Sequence, residues 1–157
     1  IYNSPIPAAK IENNRANEKG GAIYNESTFT AKYVDFGLDG GRNPNAYSNR
    51  AVDGGAIYST GDAKSKLTLT SSTFTQNRAS DKGGAIYSSG IIASTSTQYT
   101  GNSAVQGGAI YETLDPANLT PTITTKKSTF AGNYALTSET DTNAIGGAIY
   151  TDAYMTD

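Results

Sequence analysis

The chain has 157 residues, twelve basic and fourteen acidic, with no histidine and no cysteine. A net charge of −2 without any Lys/Arg run argues against nucleic-acid binding, and the missing Cys and His exclude disulfides, thiolate chemistry and the usual nucleophilic triads. Apolar residues reach only 36%, against roughly 45–50% in an ordinary globular domain, and no stretch approaches the ~18 apolar residues of a helical membrane span.

One pentapeptide, Gly-Gly-Ala-Ile-Tyr, divides the chain, at 20–24, 54–58, 83–87, 107–111 and 146–150. Residues 1–19 form a minimal unit, with Ile6 and Ile11 as apolar points and Pro5 and Pro7 at an edge or turn. Residues 20–53 carry an insertion at 37–48, rich in Gly, Asn, Pro and Asp, and therefore a loop. Residues 54–82 read most cleanly: Leu67-Thr68-Leu69 alternates with period two, and Ser72-Thr73-Phe74 begins another strand after a short bend. Residues 83–106 are the shortest unit, with room for three strands and tight corners. Residues 107–145 carry loops at 112–122 and 136–145, and residues 146–157 begin a further unit.

Each unit has a second signature. Ile11, Phe74, Tyr99 and Phe130 each precede an Asn by three residues (Asn14, Asn77, Asn102, Asn133), and an Ala follows two later. In the second unit the insertion separates Phe36 from Asn49. Segments 29–36, 67–74, 92–99 and 123–130 then align. The spacing of the leading glycines, 34, 29, 24 and 39 residues, describes a core unit near the shortest value with variable insertions.

β-Branched and small polar residues dominate and no 3.6-residue apolar stripe appears, so helix is not expected. An identical direct repeat favours parallel coils over a hairpin meander. The expected fold is all-β, a right-handed parallel β-helix of about five turns with loop insertions, forming a single repeat domain over 1–157. Stacking puts Ile23, Ile57, Ile86, Ile110 and Ile149 in one interior row and Phe36, Phe74, Tyr99 and Phe130 in another.

Gly-Gly-Ala-Ile paired with Phe-x-x-Asn resembles the polymorphic outer-membrane protein repeat, which builds passenger regions of bacterial autotransporter adhesins. The unit is similar more widely to surface-protein β-helix repeats. The resemblance covers both motifs and nearly the whole chain; the second unit departs from it where Phe36 and Asn49 are separated. It implies a secreted, cell-surface, adhesive role and leaves the receptor open.

Several residues are candidates for function. Alternation sends Tyr24, Tyr58, Tyr87, Tyr111 and Tyr150 outward as an aromatic column, which would either grip a partner or simply cover itself. Asp39 and Arg42 in the first insertion are further partner-binding candidates. Asn14, Asn49, Asn77, Asn102 and Asn133 suit a structural amide ladder at a corner, where Asn also tolerates the left-handed conformation. Paired carboxylates exist at Asp35 with Asp39 and at Glu139 with Asp141, but they sit in or beside insertions. The run 139–143 lacks the spacing of a calcium loop, and no metal or cofactor is expected. Thr30, Thr68, Thr95 and Thr124 outline a threonine face that Lys32 and Lys126 interrupt. Asn25-Glu26-Ser27 and Asn118-Leu119-Thr120 match a glycosylation acceptor pattern that in a bacterial protein arises by chance.

The expected function is an extracellular adhesin or scaffold segment that binds a protein or glycan on a cell surface through its loops. A fibre-forming structural solenoid is the alternative, and a polysaccharide-processing enzyme a third reading. With neither a signal peptide nor a start Met, and with the first repeat cut mid-motif, the chain is expected to be a piece of a longer surface protein. Its ends share one phase of the repeat without a capping segment, so end-to-end association is expected. No segment is expected to insert in a membrane.

Overall fold

The computed structural model describes residues 8–37, 48–60, 65–114, 122–137 and 143–152, and the backbone of 154–156. Pro5, Pro7, Asp39, Arg42, Asn118, Glu139 and Asp141 lie outside the described residues.

The chain winds as a parallel β-helix, and no helix occurs among the described residues. The first sheet stacks Ile23–Asn25, Ile57–Ser59, Ile86–Ser88, Ile110–Glu112 and Ile149–Thr151. The second stacks Phe29–Lys32, Lys66–Thr70, Ile91–Thr95, Thr122–Lys126 and Tyr154–Thr156. The third stacks Ala9–Ile11, Val34–Phe36, Thr73–Thr75, Gln98–Thr100 and Thr129–Ala131. The three strands expected per unit are corrected to four. A fourth sheet joins Arg50–Asp53, Arg78–Lys82, Ser103–Ala104 and Tyr134–Ala135. Its strands are short and lack apolar alternation, because the segment turns only its Ala toward the core.

Like residues pair with like. Ile23, Ile57, Ile86, Ile110 and Ile149 form one row, and Ile11, Phe36, Phe74, Tyr99 and Phe130 another. Phe29, Leu67, Ile92 and Ile123 form a third. Ile57, Ile86, Ile110, Phe36, Phe74 and Tyr99 are fully enclosed, whereas Ile23 and Ile149 in the outer coils are half-buried. The rings of Phe36, Phe74, Tyr99 and Phe130 stack with centroids 4.5, 5.1 and 4.5 Å apart, a spacing at which aromatic pairs attract beyond their buried area. Alternation sets the second sheet: Leu67 and Leu69 point inward while Thr68 and Thr70 are half-exposed.

The corners are left-handed, in register. One is taken by Tyr33, Ser71, Ser96 and Lys127, another by the first glycine of each Gly-Gly pair. The second glycine has a different reason. A Cβ on Gly84 would collide with the Gly108 carbonyl oxygen of the next coil and with the Ser103 backbone, so only glycine lets the coils approach there.

Phe74→Ala and Ile86→Ala each open a cavity held apart by copies above and below, and each should cost about 2–5 kcal/mol in denaturant melts. Gly84→Ala should cost about 3 kcal/mol through the forced shift of backbone. Losses below about 0.5 kcal/mol for all three would mean these positions are not enclosed.

Candidate functional site

The tyrosines of the pentapeptide leave the first sheet on its outer side. Tyr24, Tyr58, Tyr87, Tyr111 and Tyr150 stack as one column, with centroids 5.4, 4.5, 5.3 and 4.8 Å apart. Contact between rings closes most of it: Tyr58 and Tyr111 keep only 7% and 8% of their surface, while Tyr24 at the end keeps 50%. Lys19 Nζ lies 4.9 Å from the Tyr58 ring centre and Lys82 Nζ 5.7 Å from that of Tyr111, adding cation–π contacts. The Tyr24 hydroxyl donates to Glu26 Oε1 at 2.9 Å. Burial pushes the Tyr87 hydroxyl well above its ordinary value, and neighbouring Tyr58 pushes the same way. Tyr87 therefore stays neutral at physiological pH and offers no phenolate. What the column presents outward is the open face of Tyr24 and the edges of the other rings.

The Asn series forms a continuous chain of amides at the corner between the third and fourth sheets. Asn14 Nδ2 donates to Asn49 Oδ1, Asn49 to Asn77, Asn77 to Asn102 and Asn102 to Asn133, at 2.9 to 3.0 Å. Each acceptor oxygen also takes the backbone N–H of the Asn one coil earlier. The second amide hydrogen goes to a carbonyl: Ile11 from Asn49, Phe36 from Asn77, Phe74 from Asn102 and Tyr99 from Asn133. Asn49, Asn77 and Asn102 are fully enclosed, with every amide donor and acceptor occupied. None of the five takes the left-handed conformation. That backbone belongs to the preceding residue, at Asn13, Gln76, Gly101 and Gly132, because an Asn aimed along the ladder needs the bend just before it.

Of the paired carboxylates only Asp35 is among the described residues, and it accepts a hydrogen bond from Thr73 Oγ1 at 2.7 Å. No group of three potential metal ligands occurs among those residues. The threonine face is corrected: Thr30, Thr68 and Thr124 share a row with Ala93, whereas Thr95 lies two residues on, in the row of Lys32, Thr70 and Lys126. Both rows share the outward face, and Lys32 and Lys126 interrupt it in the row of Thr95.

Sequence reasoning missed Glu112. The residue after each pentapeptide turns inward, and Asn25, Ser59, Ser88, Glu112 and Thr151 stack there. Glu112 is fully enclosed. Its Oε2 accepts from Thr151 Oγ1 at 3.3 Å, and Oε1 has no partner among the described residues. Burial pushes the carboxyl up to about 8, against a smaller pull downward from Thr151 and a small push upward from Asp152. The signal was available in the two-residue alternation, which marks this position as interior. Enclosure keeps substrate away from it.

Residues 9–26, 71–89 and 127–152 match the Chlamydia polymorphic membrane protein repeat. The chain carries this repeat. The repeat is that of a surface-associated membrane protein family, and it matches three segments of the chain. Each matched segment holds one Asn of the ladder and one whole pentapeptide. The units between them, with Asn49 and Asn102, follow the same registers. No curated protein and no solved structure gives a match.

Between pH 4.5, the ordinary value for Glu112, and about 8, the folded carboxyl holds a proton that the unfolded chain has released. Stability therefore falls as pH rises through that window and levels off above it. Glu112→Gln should flatten this dependence, gaining on the order of a few kcal/mol over the native chain above pH ~9 and little below pH ~4. Parallel stability–pH curves for the two proteins would contradict this account.

Proposed function

We propose that this chain is an extracellular passenger segment of a bacterial surface protein, a rigid scaffold that presents adhesive contacts. The match to a surface-protein repeat carries this reading, and the in-register coils supply the rigidity. The contacts are the inserted segments, including Asp39 and Arg42, and the Tyr24 end of the tyrosine column. Loops on a regular scaffold can vary without disturbing it. Glycan hydrolysis is disfavoured: Glu112, whose carboxyl burial pushes up to about 8, faces the core, and a hydrolase needs two carboxylates flanking a reachable bond.

Replacing 37–48 or 136–145 with the short connection of the 83–106 unit should leave the thermal melt intact and weaken binding to cultured epithelial cells, read by flow cytometry. Undiminished cell binding by both shortened proteins and by Tyr24→Ala would overturn the reading.

Growth by end-to-end stacking is a second reading. It is favoured by the in-register stacking of like strands, in which Thr129–Ala131 and Ile149–Thr151 pair on one side among the described residues. Light scattering across a concentration series should show a rising mean mass. A constant monomer mass would remove this alternative.

A further inference from the structure

The chain reads Asn-Arg-Ala at 14–16, 49–51 and 77–79. In linear order these arginines are isolated, and no basic stripe is visible. The coil assembles one: Arg15 bridges to Arg50 and Arg50 pairs with Arg78, parallel and in register, at about 4.8 Å per coil.

Their backbone is fixed by the amide ladder immediately upstream. Arg50 N–H donates to the Asn14 carbonyl at 2.9 Å and Arg78 N–H to that of Asn49 at 3.0 Å. Ala51 and Ala79 follow, buried on the core side, which turns the arginines outward. Arg15 and Arg78 are exposed and Arg50 is half-buried. Among the described residues the one ion pair is Lys82 with Asp81 at 3.3 Å. The Arg50 side chain, among the described residues, donates to Ser48 Oγ through Nε at 3.3 Å. Three like charges thus stand at fixed pitch with no carboxylate partner among the described residues.

They border an open groove of about 340 Å³, lined also by Asn17, Val52 and Ser80. A second groove of about 150 Å³ shares Arg78 and Ser80 and runs on to Leu136. In the same outward row, past Ser103, stands Tyr134, 46% exposed. Guanidinium groups present rigid forks that bind anionic oxygens in pairs. A column of them fits one molecule carrying such groups at intervals. Hydroxyl and amide groups at Ser80 and Asn17 suit sugar hydroxyls, and the Tyr134 ring offers an apolar surface for a sugar face. A duplex nucleic acid, with two phosphate strands, would need a broader basic face than this single column, and a peptide would need a deeper apolar pocket for its side chains.

We infer that the groove along the fourth sheet binds a linear sulfated glycan running parallel to the coil axis, with sulfates on Arg15, Arg50 and Arg78 and a sugar ring toward Tyr134. The site meets the inserted segments only at Ser48, beside Arg50, and at Leu136 and Thr137 in the second groove; heparin retention reads this inference and cell binding reads the adhesion reading, so the two can fail independently.

The test uses the full 157-residue chain and heparin as the probe, immobilised for salt-gradient retention and as an oligosaccharide for affinity. The native chain should be retained at about 0.15 M salt. Arg50→Ser copies the Ser103 of the same row and should lower affinity roughly tenfold. Arg50→Lys should recover part of that loss, since it keeps the charge without the fork. Arg15→Ser, Arg50→Ser and Arg78→Ser combined should abolish retention with the thermal melt unchanged, while Lys66→Ser on the second sheet should bind as the native chain does. Failure of the native chain to bind heparin, native-like retention of the triple variant, or equal competition by polyglutamate or duplex DNA would overturn the assignment. Should the triple variant unfold, the single substitutions decide, and native affinity in both Arg50 variants would also overturn it.

Discussion

Unshifted parallel pairing of each coil with the next is the constraint on which the molecule depends. Once Ile86 lies over Ile57 and under Ile110, every other position in the coil is superposed on its counterpart. A side chain that stacks well on itself is then favoured several times over. Aromatic rings do so through their faces, aliphatic chains through close packing, and amides through a donor on one side and an acceptor on the other. The amide chain adds a polarisation effect, since each Asn oxygen that accepts from one coil strengthens the donor offered to the next. The same superposition multiplies penalties. Arg15, Arg50 and Arg78 would be unremarkable apart; in one column they become a concentrated field.

Corners decide where the coil bends, and their chemistry is local. A left-handed backbone conformation is unfavourable for most side chains, yet Tyr33, Ser71, Gln76, Ser96 and Lys127 adopt it. Hydrogen bonds on either side hold them there, such as Ser71 N–H to the Thr95 carbonyl and Gln76 N–H to that of Thr100. The glycine pair is stricter. There one residue must turn and the next must have no side chain, because adjacent coils touch through backbone alone.

The interior rows were legible in the sequence because the same residues recur at the same phase, and phase is all that parallel stacking requires. Phe36 took its place although an insertion parts it from Asn49. The fourth sheet was not legible: Ser103–Ala104 and Tyr134–Ala135 are two residues long, too short for alternation to register. Glu112 escaped because a glutamate beside a loop reads as solvated, and only its position after Tyr111 places it inward. The arginine column escaped for another reason. Its members are 35 and 28 residues apart, so any reading by local charge density finds nothing. The left-handed residue before Asn14, Asn77, Asn102 and Asn133 was misplaced by one, since the propensity of Asn for that conformation points to the wrong member of the pair.

Coil lengths vary while the rows do not. Successive Gly-Gly pairs lie between 24 and 39 residues apart, and still each Ile sits on an Ile and each Asn on an Asn. The frame counts corners, not residues. Extra chain entering at a bend is absorbed there, whereas one residue added within Leu67–Leu69 would turn the strand inside out. A whole coil, by contrast, can be duplicated or deleted and the faces on either side meet again as equals. Such a molecule is edited in units, and its length is a variable that its architecture leaves free.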